Sequence, residues 1–410
     1  MKPSGDNEFI RFVEEETKLT FKEFQDILQD FINKSENMND LKNLVFEKFK
    51  LNVFFTLLLL QYFQLQKVLK VDKEFTDHYI ETLIASLNLK FSEQESENDL
   101  TPRGYYRKYT SLRDTFSGQR VYLDHYLPDY NLAINTHQIE DEYLGTDPRC
   151  LYKLSPYQES LYCNKFGIRL IHLFTPFLWD YSKMNVFENL IVHALKQTQT
   201  RYYARDCRVE VRPAISMKPF FLANNIQGYR NARTAFCLIH KKTNEVLMIY
   251  TVGYADFSKG FVDAEIARGA CKLGCSVVGG ASKLWKFIQE YYATRNLDGS
   301  PGAVNTIVYY VDCNFYDGNS ISFLENTEFI RTQEGFWNFW VESKELKNRE
   351  PRKHKLIMEK TKQDLLFPVH NAGTQTNIWF RYADDPKRIE AQNQARIYRE
   401  ALIKKYGFEL

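Results

Sequence analysis

Three short apolar runs follow one another between residues 121 and 174, and each carries a polar side chain within it. They are Val121-Tyr-Leu-Asp124-His-Tyr-Leu-Pro128, Asn131-Leu-Ala-Ile-Asn135 and Gly167-Ile-Arg-Leu-Ile-His172-Leu-Phe174. Runs this short, bounded by Pro, Asn and Gly, are the length of strands rather than helices. Strands are therefore expected near 120–127, 131–136 and 168–174, with a helix near 155–166 before the last and another near 183–198 after it. Ile168 to Phe174 is almost continuously apolar, as a central strand covered on both faces is. The first strand carries one carboxylate, Asp124, and the second ends in an amide, Asn135. His172 reads as a satisfied core histidine, because no partner acid is identifiable for it.

Residues 8–90 read as helical throughout. Thr20-Phe-Lys-Glu23 is a capping box, and Phe21, Phe24, Ile27, Leu28 and Phe31 then recur on one helical face. Further helices are expected at about 39–50, 52–69 and 74–89. The polar stretch Ser92-Glu-Gln-Glu-Ser-Glu-Asn-Asp99, followed by Pro102 and Gly104, is the best linker. From about 205 the pattern changes. Thr234–His240 and Val246–Gly253 flank Lys241-Lys-Thr-Asn-Glu245, a strong hairpin signal. Another strand is expected over Phe261–Ala267, then a glycine turn, Val277-Val-Gly-Gly-Ala-Ser-Lys-Leu-Trp285, running into a helix. A strand at Thr306–Asp312, a short helix at Asn319–Glu325 and a strand at Glu328–Arg331 follow. The tail is expected to hold a basic helix, a hairpin around Gly373 and a final charged helix.

The net charge of +2 hides an asymmetry. Residues 1–100 carry 12 Lys+Arg and 19 Asp+Glu, whereas residues 101–410 carry 42 and 33. An acidic first quarter is a poor phosphate binder and a basic remainder a better one. The excess peaks in Arg201–Lys242, with nine Lys/Arg and two Asp/Glu. There Arg201, Arg205, Arg208, Arg212, Lys218, Arg230, Arg233, Lys241 and Lys242 alternate with Tyr202, Tyr203, Phe220, Phe221 and Tyr229, a pattern that suits nucleic acid: forked donors for phosphate and rings for bases. Lys347-Asn-Arg-Glu-Pro-Arg352-Lys353-His-Lys355 adds a second basic stretch. The seven Cys are scattered without a CxxC pair, so reduced thiols are the simpler reading than a zinc site or disulfides. The start of the chain does not read as a signal peptide. The run Val53-Phe-Phe-Thr-Leu-Leu-Leu-Leu60 is too short to span a bilayer and reads as a buried helix, so no membrane partner is expected.

In this pattern the segment 119–380 resembles the phage homing endonucleases whose nuclease domain is similar to the very-short-patch repair endonuclease. The resemblance rests on Leu123-Asp124-His-Tyr-Leu-Pro128, Leu132-Ala-Ile-Asn135, Cys163-Asn-Lys-Phe-Gly167-Ile-Arg-Leu-Ile-His-Leu-Phe174, Trp179 and Tyr203-Ala-Arg-Asp-Cys207. Downstream it continues with Asn225-Ile-Gln-Gly-Tyr229, Val278-Gly-Gly-Ala-Ser-Lys-Leu284, Phe336-Trp337 and His354-Lys355. Departures fall on the chemistry. Asp124 matches the family's first acid, but the second falls on Asn135, the helix His and Lys fall on Ser155 and Glu159, and Thr175-Pro-Phe replaces the acids after the last strand. A Mg²⁺ site needs several hard oxygen ligands, and Asp124 alone is a poor one. Glu140 and Asp141, with His137 nearby, could rebuild an acidic site, or form a solvated loop. The turn at Gly279, Gly280 and Ser282 could hold an anion on helix N-terminal amides, and with its flanking strands resembles the acetyltransferase fold, where such a turn holds the coenzyme A pyrophosphate. A tight turn capped by Ser282 explains the same residues.

The expected fold is a multidomain α/β (α+β) protein: an acidic helical module over 1–100 that docks to a protein partner, a degenerate restriction-endonuclease-like domain over 105–200, and an acetyltransferase-like α/β domain with a basic tail over 201–410. The resemblance and the lost acid together imply a phage DNA-binding protein derived from a homing endonuclease, acting in the cytoplasm of the infected bacterial host without a cofactor. Its nuclease activity would be lost, and it would serve a larger nucleic-acid machine such as a viral transcription complex. Two alternatives stay open: an active Mg²⁺-dependent endonuclease using Asp124, Glu140 and Asp141, and an interaction protein without DNA binding.

Overall fold

The computed structural model describes residues 18–34, 48, 73–87, 89–90, 105–113, 120–137, 155–174, 181–255, 261–316, 325–340, 345–348 and 366–406. The chain divides into two compact units, Met1–Asn88 and Leu89–Leu410. In the first, helix α1 (Phe21–Lys34) starts at the expected capping box. The Glu23 amide donates to Thr20 Oγ1 at 3.3 Å, and Glu23 Oε2 accepts from the Thr20 amide at 2.8 Å. Phe24 is fully buried on the apolar face. Helix α2 (Lys73–Ser86) corresponds to the helix expected at 74–89. Of the helix expected at 39–50 only residue 48 is described, and it is helical; the helix expected at 52–69, the run 53–60 and the linker at 92–99 lie outside the described residues. Among the described residues no helix is long and apolar enough to cross a membrane.

The second unit holds a small sheet in the order β1-β2-β3-β4, from β1 (Tyr106–Arg113), β2 (Arg120–Leu127), β3 (Leu132–His137) and β4 (Arg169–Phe174). β1, β2 and β3 form an antiparallel meander. Pro128 starts a single 3₁₀ turn between β2 and β3, and Asn131 closes it at φ 48 with its amide bonded to the Pro128 carbonyl; Asn is among the few residues that tolerate this left-handed state. Helix α3 (Pro156–Lys165) then carries the chain across so that β4 runs parallel to β3. Ser155 and Gln158 form a capping box with Pro156 in the first turn. Gly167, at φ 69, ends the helix, and Ile168 N bonds back to the Cys163 carbonyl. β4 was expected to be central. It lies instead at the edge of this ladder, and its buried state arises partly because the His172 amide donates to the Asn314 carbonyl at 2.8 Å.

After helix α4 (Tyr181–Ala194) comes a short strand, β5 (Thr200–Tyr203), and then an eight-stranded sheet. Its members are β6 (Cys207–Pro213), β7 (Thr234–His240), β8 (Val246–Gly253), β9 (Ala264–Cys271), β11 (Thr306–Asp312), β12 (Thr327–Trp340), β13 (Glu345–Asn348) and β14 (Leu366–Phe380), in the order β13-β12-β14-β11-β9-β8-β7-β6. β10 (Cys275–Val278) pairs in parallel with β5. The large sheet is antiparallel except between β9 and β11, which pair only at Ala264–Ile266 with Ile307–Tyr309. The hairpin β7–β8 has the expected bounds. The strand expected at 261–267 lies at 264–271. No hairpin forms at Gly373: β14 runs through it and pairs with β12 along its length, the glycine taking φ 88 where the register shifts. Of the short helix expected at 319–325, only Glu325 is described, and it lies in a turn; the basic helix of the tail lies outside the described residues. Helix α7 (Pro386–Tyr406) ends the described chain.

β7 is buried on both sides, which explains its unbroken apolar run. Phe236 and Leu238 face helix α6 (Gly280–Tyr291), packing with Leu284, Trp285 and Ile288. Cys237 and Ile239 face the other way, toward Phe221 of helix α5 (Lys218–Asn224). Full burial of a side chain such as Phe236 contributes roughly 1.5–3 kcal/mol. The Trp285 and Trp379 indoles both donate to the Gln289 side-chain carbonyl, at 2.8 and 3.0 Å, in the amide orientation that satisfies them.

Candidate functional site

The polar residues of the small sheet converge on one buried cluster. β2 and β3 are laddered from His125–Ile134 to Leu127–Leu132 and then fork. Side chains bridge the fork. Asn135 Oδ1 accepts from the Asp124 amide at 3.0 Å, and Asn135 Nδ2 donates to the Tyr122 carbonyl at 2.9 Å. In return Asp124 Oδ2 accepts from the Thr136 amide and hydroxyl, at 2.8 and 3.1 Å. Unpaired buried backbone groups are costly, so these bonds stand in for the missing rungs. Nδ2 also donates to Glu159 Oε2 of α3, at 3.0 Å. A carboxylate at 135 could make neither donation.

Glu159 leads on to two histidines. Its Oε2 lies 3.8 Å from His172 Nδ1, and that nitrogen is 2.8 Å from His137 Nε2. Ser160 Oγ bonds His172 Nε2 at 2.7 Å. All four side chains are buried, and His137 stacks on Phe174 with centroids 4.8 Å apart. Burial, and after it the Glu159 charge, push the neighbouring Cys163 thiol far above its usual range. The partner acid of His172, not identifiable in the sequence, is therefore Glu159, reached through a helix-to-strand contact. Ser155 caps α3. Glu140 and Asp141 lie outside the described residues.

The basic segment separates into three groups. Arg201 and Arg205 flank the Tyr203 ring, with guanidinium carbons 5.9 and 5.0 Å from its centroid. Tyr203 is 41% exposed and the Arg205 side chain 80%. The Lys241 amide donates to the Asp206 carbonyl and its ammonium to the Arg205 carbonyl, which brings the exposed pair Lys241 and Lys242 to the same surface. Arg208 and Arg212 form a second group around Glu210; their hydrogen bonds, that of Arg212 foremost, hold its carboxyl below the ordinary range. Arg230 and Arg233 form the third. The sequence places Arg230 on a DNA-facing segment; in the structure it is paired, from the loop before β7, with Glu265 of β9, which is 1% exposed. A buried carboxylate needs such a partner, and the 35-residue separation hides it in the sequence. Arg233 donates to the Asp298 carbonyl and the Tyr254 hydroxyl. Arg352, Lys353 and Lys355 lie outside the described residues.

The glycine turn belongs to the surface of the first group. Gly279, at φ 73, caps α6 without a side-chain bond, and a Cβ on it would meet that of Ala204 at 3.5 Å. Gly280 is packed so closely that a Cβ would come within 3.0 Å of Val277 and 3.1 Å of Leu238. Ser282 is not the cap that the sequence suggests: it stands exposed inside the first turn of the helix, and the cap is Gly279. Lys283 Nζ binds the turn to its neighbour through the Ala204 and Cys207 carbonyls, at 2.9 and 2.6 Å. No protein-family model matches the sequence, and no curated protein matches it.

Proposed function

We propose that this chain is a DNA-binding protein of phage homing-endonuclease type, with an endonuclease-like small sheet, an acetyltransferase-like large sheet and no cutting activity. The observation that carries the reading is the surface around Tyr203. There Arg201, Arg205, Lys241 and Lys242 gather beside the N-terminal turn of α6, whose amides suit a phosphate. Cations on a ring are a stacking platform and a phosphate track together. The loss of cutting rests on Asn135, an amide that donates to Tyr122 across the fork and to Glu159 of α3. A metal-bound water needs carboxylates there. The acetyltransferase-like assignment draws support from the one parallel pair of the large sheet, β9 and β11, on either side of the glycine turn and α6. The acidic segment 1–100 is proposed to dock a protein partner in a larger nucleic-acid machine, in the cytoplasm of the infected host.

The test is binding of duplex and single-stranded DNA at several salt concentrations, with and without Mg²⁺ or Mn²⁺. Binding without strand breaks is expected. The double variant Arg201→Ala/Arg205→Ala should lower the slope of log affinity against log salt by about two contacts' worth, roughly 0.7–0.9 per phosphate. Arg208→Ala/Arg212→Ala should leave it near wild type, since Glu210 already engages both. Cleavage abolished by Asp124→Ala, or no DNA binding at low salt, would overturn the proposal.

A further inference from the structure

The geometry points to a buried transition-metal site formed by His137 of β3, Glu159 of α3 and His172 of β4. One ligand atom from each lies within 4.8 Å of the others, and all three residues are buried. Two imidazoles and a carboxylate form a donor set that suits Zn²⁺, Co²⁺, Ni²⁺ or Cu²⁺ and disfavours Mg²⁺, which prefers all-oxygen surroundings. The site is thus distinct in chemistry from the Mg²⁺ site that Asp124 would serve in a nuclease, and the inference does not depend on DNA binding.

Two features beyond the ligands support it. Metal-bound histidines nearly always donate their other ring N–H to an oxygen, and metal-bound carboxylates are themselves hydrogen-bonded. Both supports are in place: Ser160 Oγ on His172 Nε2, and Asn135 Nδ2 on Glu159 Oε2. The spacing is also close. Bonds of about 2.0–2.2 Å at tetrahedral angles separate ligand atoms by about 3.3–3.5 Å. His172 Nδ1 and Glu159 Oε2 are 3.8 Å apart, and His137 Nε2 and His172 Nδ1 are 2.8 Å apart. All three ligand atoms lie within 4.8 Å of one another, so side-chain movements on the order of an ångström admit the ion. The ion takes the place of the hydrogen between the two rings: His137 moves that hydrogen to its Nδ1, which frees Nε2 as a ligand, while His172 carries its own on Nε2 toward Ser160. Three ligands from three elements would fasten β3, β4 and α3 together, and binding to the folded state alone raises stability by mass action.

The full chain, stripped with chelator, is titrated with Zn²⁺ and separately with Co²⁺. Expected are one equivalent per chain, a rise in Tm with Zn²⁺, and a visible Co²⁺ spectrum of nitrogen and oxygen ligation without the near-ultraviolet band of thiolate ligation. Glu159→Gln keeps an acceptor for Asn135 and should fold; it should weaken Zn²⁺ binding about tenfold or more. His137→Gln should do the same. If His137→Gln gives no cooperative melt, Glu159→Gln decides. No binding by the folded wild type overturns the assignment. So does binding undiminished in Glu159→Gln, or a thiolate spectrum.

Discussion

Strands β3 and β7 are both buried along nearly their whole length, yet they fill their interiors with opposite chemistry. β7 presents Phe236 and Leu238 to one layer and Cys237 and Ile239 to the other, and the side chains they pack against in those layers are apolar. β3 ends in Asn135, Thr136 and His137, each buried and each held by directional bonds to β2, α3 or β4. Apolar packing is non-directional and tolerates exchange at constant volume. A polar network is stabilising only while every member is satisfied, and an unpaired member in a low dielectric is costly. The small sheet therefore concentrates its vulnerability in a few atoms, and the large sheet spreads it over many contacts.

The sharpest break of that comparison is an isosteric one. Asn135→Asp should cost about 3–5 kcal/mol in urea unfolding, as leaving a buried charge uncompensated does. It removes the donations to Tyr122 and Glu159 and sets one carboxylate against another. Leu238→Met, in the large core, should cost less than about 1.5 kcal/mol. A smaller loss for Asn135→Asp than for Leu238→Met would show that the network does not hold the fork.

A second comparison lies within the large sheet. Arg230→Ala strands the Glu265 carboxylate inside it and should destabilise by about 3 kcal/mol. Arg208→Ala breaks a solvent-screened pair with Glu210 and should cost far less. Equal losses would mean that water reaches Glu265.

The smallest effect concerns pH. Burial raises the Glu188 carboxyl of α4 above its ordinary 4.5. Below that value the group is protonated folded and unfolded alike. As pH rises through the raised folded value, the unfolded chain gains from ionisation and the folded chain loses in comparison. Wild-type stability should therefore fall across this window. Glu188→Gln should match wild type at low pH and exceed it at neutrality. Parallel profiles at every pH would place the carboxyl in water.

What the sequence determined by itself is local. The capping box at Thr20 and Glu23, the hairpin strands 234–240 and 246–253, strand 306–312 and the helix after Gly279 all depend on neighbours within a turn or on the period of apolar residues, and those are written in order along the chain. Asp124 and Asn135 were legible as a pair for the same reason, a meander with a short turn between them. Tertiary structure alone decided the rest. Glu159 and His137 met at His172 through a helix crossover and a parallel pairing, neither of which leaves a periodic trace. Arg230 turned inward because Glu265 needed a counter-charge. Gly373 became part of a long strand because β12 supplied backbone partners on both sides of it. In each case the deciding term was the desolvation of a polar group, and its size depends on what the folded chain brings beside it.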